Sequence, residues 1–334
     1  MYMYATCLAC TIVITQLFVL ISNAFGVPKD VTGDPYEGIT LFKSIQAILT
    51  SAFVLGPLSL GRDMGGFKNL AILSLSCLII TILVVLIELP FYDTLYQSNY
   101  GDCLQVTNVC YSAQFFNGAG IILFAFTNQC NVLPVYQELV NPVKYRLMKI
   151  IRRSILLVFI LYVLMSLAGY FSTLNNTPEI VLSRSPPTEE WTTDWLQTIA
   201  SILVLSTMVT NIVMNYIPFR NSLYFMSTGK EVFSTKFNII CTVCFQVATC
   251  SVSIVFPNVS NVLAIFGGIA SVNIVYIVPL FCYLKLRHED DPLTSPKNLA
   301  AIIYFGLMCL IGWGSVIGTV LMMLGSDTSA YLYC

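Results

Sequence analysis

The sequence predicts an all-α protein, a polytopic bundle of about nine transmembrane helices, and composition is the first reason. Hydrophobic residues make up 57% of the 334 residues and charged residues 10%, against about 25% charged in an ordinary soluble domain. The mean hydropathy is +0.79, which a soluble fold could not accommodate in its interior. Disorder requires low hydrophobicity, and a net charge of −1 leaves no basic face for nucleic acid. We therefore expect the apolar surface of the protein to lie in a lipid bilayer.

The second reason is a series of apolar stretches, each long enough to cross a bilayer as a helix, which takes about 20 residues. Pro, Gly, Asn and charged residues cluster between these stretches, as expected for connectors. The nine predicted spans cover residues 5–26, 39–60, 69–91, 113–136, 150–174, 195–217, 237–256, 262–284 and 299–324.

The distribution of basic residues predicts how the spans are oriented. Of the 16 Lys and Arg residues, 13 fall in or beside the even-numbered connections between spans, and the other three are Lys29, Lys43 and Arg184. Cytoplasmic loops carry an excess of Lys and Arg. We therefore expect a cytoplasmic amino terminus and a carboxyl terminus that is extracellular or lumenal. The plasma membrane and a vacuolar or lysosomal membrane both fit this orientation.

Two covalent modifications are predicted in the outward connections. The two N-x-[ST] sequons, at Asn175 and Asn258, both lie there and predict N-glycosylation. Cys103 and Cys110 lie together in the outward connection between the third and fourth spans, where oxidation is permitted. We expect a disulfide between them. Two free thiols are the alternative, because a sequence does not give the geometry that a disulfide requires.

Signatures of enzymes are missing from the sequence. It contains no Walker loop, no H-E-x-x-H and no G-x-S-x-G motif, which would mark phosphate binding, zinc hydrolysis and a nucleophilic serine. The single histidine, His288, cannot assemble a metal cluster at the usual spacing. We expect neither catalysis nor a bound cofactor or metal.

The fourth span carries the most informative polar residues. Thr127, Asn128, Gln129 and Asn131 lie within an otherwise apolar stretch, just ahead of Pro134. Amides in hydrocarbon are unfavourable unless each finds a partner, and a proline frees a backbone carbonyl one turn earlier. Transporters use such an interrupted helix to present backbone dipoles to a solute at the middle of the membrane. The alternative is a kinked helix whose amides bind neighbouring helices.

Four segments resemble the amino acid/auxin permease family, which includes the sodium-coupled neutral amino acid transporters. Residues 124–139, FAFTNQCNVLPVYQEL, are similar to the signature of the family's sixth helix. GPLSLGR at 56–62 resembles the stretch before its fifth helix, and IPFR at 217–220 the end of its eighth. FGGIAS and YIVPLFCYL, within 266–284, resemble its tenth helix.

The resemblance implies an incomplete LeuT-like inverted-repeat fold of the APC superfamily. Such a protein is expected to have two inverted five-helix repeats plus one helix, and the nine spans correspond to helices three to eleven. We expect one transmembrane domain over 1–334, with a partial first repeat at 1–91, the second repeat at 113–285 and the extra helix at 298–325. The first two family helices have no counterpart. The expected explanations are a truncated gene model, a shortened paralogue or a fragment.

The resemblance also implies the solute-binding residues, all in the fourth span. They are Phe124, Ala125, Phe126, Thr127, Asn128, Gln129 and Asn131. Gln129 and Asn131 stand where relatives often carry His and Glu, which argues against proton coupling through this helix. In the sixth span, Thr210 and Asn211 fall near a threonine that helps to bind sodium in coupled members. Hydrogen bonding to a neighbouring helix is the alternative for these two residues.

These observations lead to one functional hypothesis and one alternative. The hypothesis is a secondary active transporter of small neutral amino acids that works by alternating access, with Na+ or H+ as the coupling ion if there is one. The alternative is a transport-inactive amino acid sensor or assembly partner that keeps the fold. The expected partners are an amino acid and the lipid bilayer, and the oligomeric state is left open.

Overall fold

A chain surrounded by lipid must satisfy its own backbone N–H and C=O groups, and a helix does so within one segment. The computed structural model describes residues 2–33, 40–61, 68–100, 113–127, 129, 132, 136, 139, 143–184, 194–229, 234–256, 258–287 and 295–324. Every regular element within those ranges is helical. The predicted all-α class is confirmed.

The helices fall into long rods, two of which continue through π-helical segments. In chain order they are α1 (Tyr2–Ala24), α2 (Lys29–Thr32), α3 (Leu41–Thr50), α4 (Gly56–Ser59), α5 (Lys68–Tyr100), α6 (Ala113–Ala125), α7 (Lys144–Thr173), α8 (Trp195–Thr228), α9 (Thr235–Val255), α10 (Val259–Phe266), α11 (Val278–Arg287) and α12 (Pro296–Leu324). The π-helical segments are Ser51–Leu55, between α3 and α4, and Gly267–Ile277, between α10 and α11.

Eight helical rods in the described part of the chain are long and apolar enough to cross a membrane. They correspond to eight of the nine predicted spans, so the chain is an integral multi-pass membrane protein. The predicted fourth span, 113–136, differs because its helix α6 ends at Ala125. Thirteen residues give a helix about 20 Å long, shorter than the ~30 Å hydrocarbon core.

The sixth rod, α8, runs past its predicted end at residue 217 because the next cation is buried rather than solvated. Arg220 is 0% exposed and lies inside α8, which continues to Thr228. The Arg220 guanidinium donates to the carbonyl oxygens of Ser59 and Gly61, at 3.1 and 2.9 Å, and to Oδ1 of Asn238, at 2.6 Å. A cation at the carboxyl end of α4 is favoured by the helix dipole, so Arg220 stabilises the end of a neighbouring rod.

Contacts divide the chain into two compact units. The larger comprises residues 6–107, 138–257 and 333–334. In it, α5 packs against α7 and α8, and α9 packs against α3 and α4. Leu17, Val85 and other buried apolar side chains form its core.

The smaller unit comprises residues 1–5, 108–137 and 258–332. Its helix α6 packs against α10, the following π-helical segment and α12. Tyr2, Ala5, Phe124 and Ala270 form its buried apolar cluster. The expected single domain with repeats at 1–91 and 113–285 and an extra helix at 298–325 stays a prediction.

The predicted disulfide falls outside the described residues, which include neither Cys103 nor Cys110. It therefore stays a prediction. The eight cysteines in the described ranges are free thiols.

Candidate solute-binding site

The fourth span is interrupted at the position where its polar residues begin. Helix α6 ends at Ala125, Phe126 forms a turn and Thr127 is not helical. Gln129, Val132 and Tyr136 are again helical. The helix α6 therefore ends inside the predicted fourth span, and helical backbone is present again at these three described residues.

Three hydrogen bonds tighten the end of α6. The Phe126 N–H donates to the Ile122 carbonyl at 3.2 Å, and the Thr127 N–H donates to the Phe124 carbonyl at 3.1 Å. The Thr127 hydroxyl donates to the Leu123 carbonyl at 2.7 Å. The bond from Thr127 to Phe124 spans three residues instead of four, which closes the helix. These donors satisfy three of the last four carbonyl groups of α6, all of which would otherwise lack partners.

The carbonyl of Thr127 itself is bound by a residue that the sequence analysis did not select. The Tyr2 hydroxyl, at the start of α1, donates to it. The Tyr2 ring also lies 5.1 Å from the Phe124 ring, between centroids. Because the two partners are 125 residues apart, no local pattern in the sequence signals this contact.

The predicted binding residues that the structure describes fall into two groups by exposure. Phe124 and Thr127 are 7% and 4% exposed, and Phe124 packs in the core of the smaller unit. Ala125 is exposed and Phe126 is 40% exposed. Gln129 is exposed and helical.

Asn128 and Asn131, the remaining predicted members, lie outside the described residues. Of the two phenylalanines, Phe126 is the one whose ring is accessible next to the break.

Glycines hold the neighbouring backbones close to α6. A Cβ on Gly267 would overlap the carbonyl oxygen of Gly120, and would lie 3.1 Å from Cβ of Phe124. A Cβ on Gly120 would overlap the Ser315 hydroxyl and lie 2.8 Å from the Ala264 carbonyl oxygen. Small residues allow such close approach between membrane helices. This close contact holds the part of α6 just before its break against the neighbouring backbones.

The segment that faces α6 through Gly267 is itself irregular. Gly267–Ile277 is π-helical over 11 residues, and the Val278 N–H donates to the carbonyl of Asn273, five residues earlier. Inside it, Ser271 is fully buried, and its hydroxyl has no hydrogen-bond partner in the described part of the chain. Such π-helical segments are frequent at functional sites. The resemblance of FGGIAS to the family pointed to this segment in the sequence, but it did not predict that the segment is π-helical.

The two candidate ion ligands lie in the larger unit, on α8. The Thr210 hydroxyl donates to the Ser206 carbonyl at 3.1 Å. The Asn211 amide lies 3.6 Å from the Cys10 sulfur of α1, and its Oδ1 accepts from the Asn215 amide at 2.9 Å. Asn211 thus makes the interhelical contact that was the alternative to sodium binding, and the sodium role stays a prediction.

The two glycosylation sequons differ in their surroundings. Asn175 is exposed and lies in a short 3₁₀ turn, Leu174–Asn176, after α7. Asn258 is half-buried, and its Oδ1 accepts from the Asn261 N–H at 2.9 Å, which caps α10. Of the two, Asn175 is the more accessible, and modification of either stays a prediction.

Comparison with known proteins places this helical arrangement in a family. The chain matches the family model described as transmembrane amino acid transporter protein over residues 2–321. It is 24% identical over 289 residues to sodium-coupled neutral amino acid symporter 2 of Danio rerio, covering 80% of this chain and 56% of the relative. It is also 24% identical over 220 residues to sodium-coupled neutral amino acid transporter 4 of Rattus norvegicus, covering 65% of this chain and 40% of the relative.

The chain spans about half the length of the curated relatives it matches, 56% and 40%. The resemblance to the amino acid/auxin permeases is confirmed. Because the family model covers nearly the whole chain and the structure is a set of membrane-spanning helices, the chain belongs to the transmembrane amino acid transporter family.

Proposed function

We propose that the chain is a secondary active transporter of small neutral amino acids that binds its solute at the break in α6. Family membership supports amino acid transport in general. The names of both relatives specify neutral amino acids. The observation that carries the proposal is the interruption at Phe126–Thr127 inside the predicted fourth span. Discontinuous helices of this kind bind the solute in many transporters.

The end of α6 favours the ammonium group of an amino acid. The carboxyl end of a helix carries partial negative charge. The Thr127 hydroxyl already donates its proton to the Leu123 carbonyl, so towards a solute it acts only as an acceptor. An ammonium group would donate to the Thr127 hydroxyl oxygen and to the one carbonyl group, among the last four of α6, that the three bonds described above leave without a donor.

The carboxylate of the solute would bind on the other side of the break. Gln129 is again helical, and the first N–H groups of the helix that contains it would bind the anion. Asn128, which follows Thr127 in the sequence, would bond the polar groups of the solute, and the exposed ring of Phe126 would cover a small apolar side chain. This geometry suits a short zwitterion without a charged side chain.

Ion coupling is part of the proposal, with sodium preferred to protons. Both relatives are named as sodium-coupled. The candidate ligand is the hydroxyl oxygen of Thr210, which still has lone pairs after donating to Ser206. The Asn211 amide is engaged with Cys10 and Asn215, so Thr210 is the better candidate of the pair.

The proposal also includes an orientation and modifications. The charge distribution favours a cytoplasmic amino terminus, in the plasma membrane or a vacuolar or lysosomal membrane. N-glycosylation of Asn175 and a disulfide between Cys103 and Cys110 would lie on the opposite side.

Uptake of radiolabelled neutral amino acids into proteoliposomes that contain the full chain tests the proposal. We expect saturable uptake that other small neutral amino acids compete for, and a higher KM in Thr127→Val, which removes the hydroxyl acceptor. Thr94→Val is the matched control, because its exposed hydroxyl makes the same bond to the carbonyl four residues earlier, at 3.0 Å. Absence of uptake from wild-type protein would rule out the transporter.

The same preparation distinguishes a transporter from the alternative, a transport-inactive sensor or assembly partner. The alternative predicts that amino acids raise the melting temperature of the protein but are not taken up. Failure of both measurements would exclude amino acid binding at α6.

A further inference from the structure

The first turns of α7 carry a high density of positive charge. All the cations of this helix lie within residues 144–153, and residues 154–173 carry none. No other helix in the described part of the chain carries more than two Lys or Arg residues. We call this group the basic end of α7, and its members are Lys144, Arg146, Lys149, Arg152 and Arg153.

The basic end has no counter-charge among the described residues. All five side chains are exposed, and the ion pair identified in the described ranges joins Arg184 and Glu88, elsewhere in the larger unit. The sequence has no acidic residue between Glu138 and Glu179. The helix α7 itself therefore offers nothing that could neutralise these cations.

The position of these cations is also unfavourable for the helix that carries them. The helix dipole favours cations at the carboxyl end of a helix and disfavours them at the amino end, where the basic end lies. Lys149 and Arg153 are four residues apart, a spacing at which like charges destabilise a helix. An anionic partner would offset both effects, so the sequence of α7 suits a helix with such a partner at its amino end.

Three of the cations share one face of α7. With 3.6 residues per turn, Arg146, Lys149 and Arg153 fall within an arc of about 60° and within about 10 Å along the helix axis. Arg152 lies next to this face. Guanidinium groups bind phosphate oxygens through pairs of parallel hydrogen bonds. The face is therefore suited to an anion that carries a phosphate group.

The length of α7 places the basic end at the surface of a bilayer. Residues 154–173 span about 30 Å, which equals the thickness of the hydrocarbon core. Their exposed apolar side chains, Ile155 among them, suit contact with lipid tails. The polar layer adds about 5–8 Å on each side of the core, which is the depth at which Lys149, Arg152 and Arg153 lie. The long side chains of the other two cations extend towards the same layer.

We propose that the basic end of α7 binds the headgroup of an acidic phospholipid. A lipid is favoured over a soluble polyanion because the cations lie at headgroup depth, directly beside apolar residues that suit its tails. The distribution of basic residues predicts that this side is cytoplasmic, and the cytoplasmic leaflet contains acidic lipids such as phosphatidylserine. The proposal does not depend on amino acid transport.

Native mass spectrometry of the purified full chain in detergent tests the site, because it resolves bound lipid molecules and gives their Kd. Phosphatidylserine is compared with phosphatidylcholine that has the same acyl chains. The test variant neutralises the shared face and is Arg146→Gln/Lys149→Gln/Arg153→Gln. The matched control removes the same charge at exposed positions of three other helices and is Lys236→Gln/Lys285→Gln/Lys297→Gln.

We expect wild-type protein to bind phosphatidylserine at least about tenfold more tightly than phosphatidylcholine, since each basic residue near the headgroups contributes about fivefold. The test variant should lose at least about tenfold in its affinity for phosphatidylserine, and the control variant should bind as wild type does. Equal affinity of wild-type protein for the two lipids overturns the proposal. Unchanged binding in the test variant overturns it too. Equal weakening in both variants would show an effect of net charge and no site on α7.

Salt dependence tests the proposal on wild-type protein alone. Raising NaCl from about 0.05 M to about 0.5 M screens exposed charges, so binding of phosphatidylserine should weaken several-fold while binding of phosphatidylcholine stays constant. Binding of phosphatidylserine that does not respond to salt overturns the proposal even if the test variant does not fold. Inorganic phosphate should displace the lipid no better than NaCl at equal ionic strength; stronger displacement would assign the site to a free phosphate and contradict a lipid site.

Discussion

Replacing Gly267 by alanine tests whether α6 is held as closely as the structure shows. The new Cβ would overlap the Gly120 carbonyl oxygen and lie 2.8 Å from the carbon of that group, whereas ordinary contacts begin near 3.4 Å. Because the obstacle is backbone and not a flexible side chain, the helices must separate. Overpacking of this kind destabilises by about 1–3 kcal/mol, and the gain in helix propensity from Gly to Ala offsets about 1 kcal/mol of it.

Gly306→Ala is the matched control for this prediction. Gly306 lies in α12 and has nothing within 4 Å of an added Cβ, so this variant keeps only the propensity gain. Unfolding in detergent should place Gly267→Ala below wild type and Gly306→Ala at or above it, a difference of about 1–3 kcal/mol between the two variants. Equal stability of the two variants would show that α6 is not in close contact with the π-helical segment.

Three further perturbations have defined outcomes. Arg220→Met leaves four acceptors without their donor, including Oδ1 of Asn238, and should lower the free energy of unfolding by about 3 kcal/mol or more. Arg220→Lys should be intermediate, and a methionine variant as stable as the lysine variant would contradict this account. Tyr2→Phe removes the donor to the Thr127 carbonyl. We expect the free energy of unfolding in detergent to fall by about 1 kcal/mol and the KM for uptake to change. If both values are unchanged, that hydrogen bond is excluded. Asn175→Gln should abolish a mobility shift on enzymatic deglycosylation, whereas a shift that persists would assign the glycan elsewhere.

Most spans could be predicted from the sequence because hydrocarbon imposes a length and a composition on each helix. Their ends were less predictable. The sequence predicts that Arg220 is solvated and ends a span, yet four acceptors bind its guanidinium inside the protein. A single sequence does not reveal which cations find buried partners.

The break in α6 could be anticipated because amides ahead of Pro134 are poor residues for an uninterrupted membrane helix. The position of the break, at Phe126 and Thr127, agrees with that expectation. The contribution of Tyr2 could not be anticipated, because it depends on the packing of distant segments. A signal was available for the ion pair of Glu88 with Arg184, since a carboxyl group in an apolar span requires a partner.

Equilibrium binding of a radiolabelled small neutral amino acid to the purified chain tests the central claim most directly. The claim is that the solute binds where α6 is interrupted. We predict saturable binding by wild-type protein, binding at least about tenfold weaker in Asn128→Ala, which corresponds to one lost hydrogen bond to a charged group, and unchanged binding in the control Gln97→Ala. Binding that Asn128→Ala leaves as tight as in wild type, or no binding to wild-type protein, would contradict the claim.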